Sequence, residues 1–196
     1  MIGRAAPAVL ALACCFALPV ARAADTPEAA ETRMRGCLTE AAAAHRLPPA
    51  MLVVLLNVEG GRLGCVSRNT NGTVDIGPMQ VNTVWVPRIA AHWSTAPAAA
   101  YAALRDNLCA NLEGGAWILR QAMDEARGDF WGGVGIYHSH NPRYSERYLR
   151  QVLKATLLLQ AQAQAHARQP PVPTAPVPPA PQPPQPAIPA HLASRN

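Results

Sequence analysis

The sequence predicts a mainly α-helical single domain with at most a small β-hairpin. Three observations carry that expectation. Apolar residues recur at three- and four-residue spacing along most of the chain. Turn and strand signals are confined to one short stretch around Asn71-Gly72. An N-terminal apolar leader (residues 1–23) and a proline-rich end (residues 170–196) bracket residues 24–169, which suffice for one sizeable hydrophobic core.

The elements follow in order. Thr26 caps a first helix that opens with Pro27 and Glu28, and Met34, Cys37, Leu38 and Ala41 recur on one face of it. Pro48-Pro49 starts a second helix, Ala50–Glu59, whose run Met51-Leu52-Val53-Val54-Leu55-Leu56 is apolar all round and therefore central. Gly60-Gly61 ends it. Thr73–Ile76 reads as a short strand beside the Asn71-Gly72 turn. Helical patterns resume at Thr83–Trp93 and from about Asn107 to Arg127, closed by Gly128. Gly114-Gly115 inside the latter costs roughly 1 kcal/mol per glycine against alanine, so a close helix–helix contact is expected there. A short helix follows at Phe130–Tyr137. The last, Arg143 to about Arg168, should bury Tyr148, Leu149, Val152, Leu153 and Leu157.

The two ends carry their own information. Arg4, the apolar Ala5–Leu18, Pro19 and the small-x-small triplet Ala21-Arg22-Ala23 form a secretory signal with cleavage expected after Ala23. Cys14 follows Ala11-Leu12-Ala13, a poor lipidation context, which disfavours a lipid-anchored alternative at Cys14 or Cys15. The apolar run also falls short of the ~20 residues that span a bilayer, so no stable membrane insertion is expected. The far end holds eleven of the twenty prolines and should form an extended, disordered tail.

Charge excludes one class of partner. The formal charge of +5 falls to +2 within residues 24–169, where 14 basic groups face 12 acidic ones. That is no footprint for nucleic acid. Export leaves Cys37, Cys65 and Cys109, which allow three pairings in an oxidising space and leave one thiol over.

Glu59 is the residue that should do chemistry. It ends the apolar helix, so desolvation by Leu and Val neighbours and the negative end of the helix dipole both raise its pKa. A carboxylic acid protonated near neutral pH suits general acid work. On burial and periodicity alone, a core glutamate paired with an arginine such as Arg62 stands level with that reading.

The following loop tips the balance. Asn69-x-Asn71-Gly72-x-x-Asp75-Ile76-Gly77-Pro78-Met79-Gln80-Val81-Asn82 is polar, glycine-punctuated and rich in amides that suit sugar hydroxyl and N-acetyl groups. With Val58-Glu59-Gly60 before it and Gly135-Ile136-Tyr137-His138-Ser139 after it, the chain resembles the lytic transglycosylases of the lysozyme superfamily. Asp106-Asn107-Leu108-Cys109-x-Asn111-Leu112 is similar to a further segment of that group. The resemblance covers about residues 36–153. Within it, the Tyr-His-Ser variant and the Asn-x-Asn-Gly-x-x-Asp loop look closest to the small enzymes that serve conjugation, type III and type IV secretion, and pilus machines. Gly60 stands where the family has Ser, and Pro78 where it has Leu.

The resemblance implies a lysozyme-like α+β fold. It also implies cleavage of the β-1,4 bond between N-acetylmuramic acid and N-acetylglucosamine in peptidoglycan, leaving 1,6-anhydro ends. Glu59 would be the catalytic acid and then base, and Tyr137 would hydrogen-bond it. Gln80 would contact substrate or the acid, with Gly77, Met79, Asn82 and Ser139 also at the substrate. In the secretion-associated group a cysteine of the first helix matches one in the Asp-Pro-Cys-like segment, which implies a Cys37–Cys109 disulfide and a free Cys65. The expected partners are glycan strands and components of an envelope machine, the expected place is the periplasm, and neither cofactor nor metal is called for.

Two other functions remain open. Asp75 is placed to be the second carboxylate of a hydrolytic muramidase, although an aspartate there also serves its own Asn-Gly loop. Gly60 and Pro78 are the sequence support for a non-catalytic wall-binding assembly protein. His138-Ser139-His140 lacks further ligands for a metal. Ser67 and Ser139 lack a base to make them nucleophiles. Most of Trp85, Trp93, Trp117 and Trp131 should be core rather than sugar platforms.

Overall fold

The computed structural model describes residues 26–168. The expected signal and proline-rich tail therefore lie outside the described residues. Within them the chain is mainly helical, with seven α-helices and a small antiparallel sheet.

Helix α1 (Pro27–Ala44) starts as its sequence requires: the Thr26 hydroxyl accepts the Ala29 N–H at 3.2 Å. Helix α2 (Pro49–Glu59) begins at its proline pair and stops at Gly60, which takes the left-handed conformation at φ 61°. A serine there would be strained by roughly 1 kcal/mol, reason enough for glycine. Strands β1 (Val66–Arg68) and β2 (Val74–Ile76) make the expected hairpin, and a two-residue β3 (Val81–Asn82) extends it on the β2 side. Register pairs Asp75 with Ser67 on one side and with Asn82 on the other.

The pattern over Thr83–Trp93 resolves into a single 3-10 turn (Thr83–Trp85) and α3 (Val86–His92). The Asn82 side chain accepts the Val84 N–H, which starts the turn, and Pro87 supplies no donor for a continuous ladder. Helix α4 (Pro97–Asp106) was not legible as a separate helix. Its buried face is only Ala100 and Leu104, one turn apart. Helix α5 (Leu108–Glu125) is capped by Asn107, and α6 (Phe130–His138) by Asp129. Helix α7 (Pro142–Arg168) completes the described chain.

The core forms around α5, which packs against α1, α4 and α6, while α2 lies against α1 and α7. Leu52 and Leu55 of α2 meet Leu112 and Leu119 of α5, Val134 of α6 and Val152 of α7 in one cluster, all fully buried. The glycine pair of α5 does mark close approach. A Cβ on Gly114 would meet Leu104 of α4, but one on Gly115 would meet Met79 of the β2–β3 turn rather than a helix. Leu153 and Leu157 are exposed, contrary to expectation. They turn past the stripe that carries Tyr148 and Val152, and only that stripe faces α2 and α6. No single described helix is long and apolar enough to cross a membrane.

A disulfide joins Cys37 of α1 to Cys109 of α5, 72 residues apart, and Cys65 is free and exposed. Replacing both bridge residues by serine should cost about 2–4 kcal/mol through the freed unfolded chain. The measurement is the shift in urea midpoint, and an unmoved midpoint would show that the bridge adds nothing.

Candidate active site

A cleft of about 390 Å³ opens between the C-terminus of α2, the sheet and α6. That volume is in the range of pockets that seat a ligand segment. Glu59, Asp75, Gln80, Asn82, Tyr137 and His138 all line it, and Trp85 and Ile118 contribute apolar wall. Residues from four other stretches of sequence thus share the cleft with Glu59.

The α2 stop places the acid. Gly61 touches the β2–β3 turn so closely that a Cβ would collide with the Gly77 carbonyl, which fixes the end of α2 against the strip that presents Gln80. Glu59 is largely buried, and its Oε1 accepts a hydrogen bond from the Tyr148 hydroxyl at 2.5 Å. Burial pushes its carboxyl up to about 7, the Tyr148 hydrogen bond works against the rise, and the negative charge of Asp75 adds to it. No ion pair joins Glu59 to Arg62 among the described residues, so the core-pair alternative has no geometric support.

The tyrosine that holds Glu59 is Tyr148, not Tyr137 as the resemblance implied. Helix α7 lies along α2 and delivers Tyr148 to the carboxyl. Tyr137 comes from α6, and its hydroxyl donates instead to the Met79 carbonyl at 3.2 Å. Its ring still lines the cleft. Burial, together with the charges of Glu59 and Asp75, holds the Tyr137 phenol well above its ordinary range, so it stays a neutral donor. Tyr148 is raised as well, first by burial. His138 stacks face to face on Tyr148 at 4.4 Å, and burial lowers its pKa.

Other expected contacts are redistributed. Met79 is a core residue, 1% exposed, and offers the cleft no side chain. Gly77 is buried at φ 65° against Asn111, where its lack of a Cβ serves the turn rather than a ligand. The Gln80 amide donates to the Gly77 carbonyl at 2.8 Å and does not contact the acid, though its side chain faces the cleft. Ser139 lies in an adjoining hollow with Asn71 and His138, and its hydroxyl accepts the Asn141 N–H. Asn82 is in the cleft as expected, and its amide donates to Asp75 at 2.7 Å and to Thr73 at 2.9 Å.

Asp75 both stabilises its loop and faces the cleft. Asn82 and Asn69 donate to its two carboxylate oxygens, at 2.7 and 3.0 Å. Of the tryptophans, Trp85, Trp93 and Trp117 pack on the core and Trp131 is exposed; Trp85 also lines the cleft. His138 stacks on Tyr148 while His140 bonds Glu125 at 2.9 Å, so the two histidines have different partners. Neither Ser67 nor Ser139 meets a histidine base among the described hydrogen bonds.

Sequence reasoning missed two supporting residues. In the sequence Tyr148 stands out only as part of the inner face of the last helix. In the sequence Asn111 stands out only as part of a motif, yet it is wholly buried and makes three hydrogen bonds. Its Oδ1 accepts the Met79 N–H at 2.7 Å, and its Nδ2 donates to the carbonyls of Ile76 at 2.9 Å and Leu104 at 2.8 Å. It ties the turn that carries Gln80 to α4 and α5. The Cys109-x-Asn111-Leu112 spacing was the available signal.

The acidity of Glu59 sets a pH dependence. As general acid it is competent when protonated, so activity should fall as pH rises through about 7. Tyr148→Phe removes the interaction that favours the charged form, so that falling limb should move to higher pH. A limb that stays in place in Tyr148→Phe would detach Glu59 from it.

No protein-family model matches the chain, and no curated protein matches it either.

Proposed function

We propose that the protein is an exported peptidoglycan lytic transglycosylase, acting on the bond between N-acetylmuramic acid and N-acetylglucosamine. The observation that carries this reading is Glu59, a carboxylic acid with a pKa of about 7 in a polar, amide-lined cleft. The sequence motifs around it, in the order found in that family, supply the substrate.

The chemistry balances on one carboxyl. Glu59 gives its proton to the glycosidic oxygen as the bond from the muramic C1 breaks and positive charge develops there. The muramic C6 hydroxyl closes on C1, and its proton returns to Glu59. Water is not consumed, and the enzyme ends in its starting state. Asn82, the Gln80 turn and Tyr137 shape the site that holds the sugars, and Tyr148 orients the acid. Periplasmic action, opening the wall locally for a secretion, conjugation or pilus machine, fits an exported small domain with these motifs.

Hydrolysis is the second reading, favoured by one observation: Asp75 shares the cleft with Glu59 and acts on its charge. In that case Asp75 would stabilise the cation or attack it, and water would complete the reaction. The amide donors from Asn69 and Asn82 anchor Asp75 in its loop but leave each oxygen able to accept again, so the preference for the first reading rests on the sequence motifs. Mass spectrometry of soluble products from purified peptidoglycan decides. The proposal expects muropeptides one water lighter than their hydrolysed equivalents, with no reducing muramic end. Reducing ends alone would establish the muramidase, and no release at all would favour a non-catalytic wall-binding protein.

A further inference from the structure

Outside the cleft, His45, His92 and Glu113 bring three ligand atoms within 4.8 Å of one another. They come from three elements: His45 closes α1, His92 ends α3, and Glu113 lies in α5. Both imidazole Nε2 atoms point at the same carboxylate oxygen, Glu113 Oε1, at 2.8 Å from His45 and 3.0 Å from His92. Trp93 Nε1 donates to the other oxygen, Oε2, at 2.5 Å, so the carboxylate is held with Oε1 turned to the histidines.

We propose that His45, His92 and Glu113 form a binding site for a zinc-class divalent ion. Two neutral imidazoles and a carboxylate are a ligand set that zinc accepts, with bonds of about 2.0–2.2 Å and a fourth position left to solvent. Tetrahedral bonds of that length set neighbouring ligand atoms roughly 3.3 Å apart. The two nitrogen–oxygen separations need to open by a few tenths of an ångström, and the two ring nitrogens, within 4.8 Å of each other, need to close by up to about 1.5 Å, which a small rotation of the part-exposed His92 ring supplies. Both histidines present Nε2, so one ring nitrogen of each serves the same point.

The surroundings hold the geometry. His45 is one-tenth exposed, and its ring lies 5.9 Å from that of His92 at a tilt of 53°. His92 stacks on Trp117 at 5.0 Å, which fixes its plane. The Cys37–Cys109 bridge clamps α1 to α5, the elements that supply His45 and Glu113. A surface hollow of about 330 Å³ beside the bridge, lined by Trp93 and Glu113, gives an ion access from solvent. The site would tie α1, α3 and α5 together, and binding would raise stability because the unfolded chain has no such cluster. None of its three residues lines the cleft, so the site stands independently of the proposed reaction.

The test uses the full chain without a histidine tag, freed of metal by a chelator and titrated with zinc alone. Calorimetry and elemental analysis should show one zinc per chain, with a melting temperature several degrees higher. Cobalt substitution should give the visible bands of a four-coordinate site. His92→Gln and Glu113→Gln should each weaken zinc binding at least about tenfold, since even the outer partners of metal ligands are worth that much. His140→Gln, on the separate pair with Glu125, should leave it unchanged. His92 is one-third exposed, so His92→Gln carries the test if Glu113→Gln fails to fold, as checked by circular dichroism. Absence of stoichiometric zinc, or zinc retained at full affinity in folded His92→Gln, would overturn the proposal and leave a hydrogen-bonded triad.

Discussion

Glu59→Gln should abolish most wall-clearing activity while making the domain more stable at mildly alkaline pH. The amide cannot donate an acidic proton, and general acid catalysis is worth roughly 10²–10⁴-fold. Release of soluble muropeptides from purified peptidoglycan reads the loss. The stability gain follows from proton linkage. Glu59 is raised from 4.5 to about 7 in the fold, so the folded state holds its proton more tightly than the unfolded state. Its contribution is full below about pH 4.5 and is lost as pH rises to about 7, a loss on the order of 3 kcal/mol. Glutamine removes that charge and so avoids the loss. A folded Glu59→Gln chain that still clears the wall would remove Glu59 from the chemistry, and equal stabilities above neutrality would mean that the burial of its charge is harmless.

Asn111→Ala should be among the most destabilising single changes in the domain. It strands the Met79 N–H and the carbonyls of Ile76 and Leu104, all bonded by a side chain with no solvent exposure. Each buried group left unsatisfied costs about 1–3 kcal/mol, and relaxation offsets part of the sum, so about 3–5 kcal/mol is expected. Asn107→Ala, which removes the exposed α5 cap, is the comparator and should cost about 1 kcal/mol. Urea midpoints of the two variants should differ accordingly. Similar midpoints would show that the turn is held by its sheet pairing and glycines instead.

The two residues also show where sequence reasoning reaches and where it stops. Thr26, Pro49, Gly60, Asn107 and Gly128 marked helix ends because caps and stops act over a few neighbouring residues. The burial of Glu59 was legible because it ends an almost wholly apolar helix, and such a helix lies in the core. Helix α4 escaped because alanine carries little apolar signal, and two buried side chains do not make a stripe. The exchange of Tyr137 for Tyr148 was not legible. Both tyrosines sit on helices beside the core, and which hydroxyl reaches α2 depends on how α6 and α7 cross it. The His45, His92 and Glu113 cluster lay outside any local pattern, since its partners are separated by 68 and 21 residues.

The distance along the chain between Glu59 and Tyr148 has a consequence for when the acid becomes competent. Eighty-nine residues separate the acid from the hydroxyl that orients it, so the pair closes only after the intervening chain has collapsed. Such a contact pays a loop-closure cost that a local helix does not, and it needs both segments present. A chain made N-terminus first presents α2 long before α7. Until α7 docks, Glu59 lacks both its donor and one wall of its apolar surroundings, and an exposed glutamate is an ordinary, ionised carboxylate at neutral pH. The carboxyl of raised pKa is thus a product of the finished fold, and an incomplete chain carries Glu59 as an ordinary carboxylate.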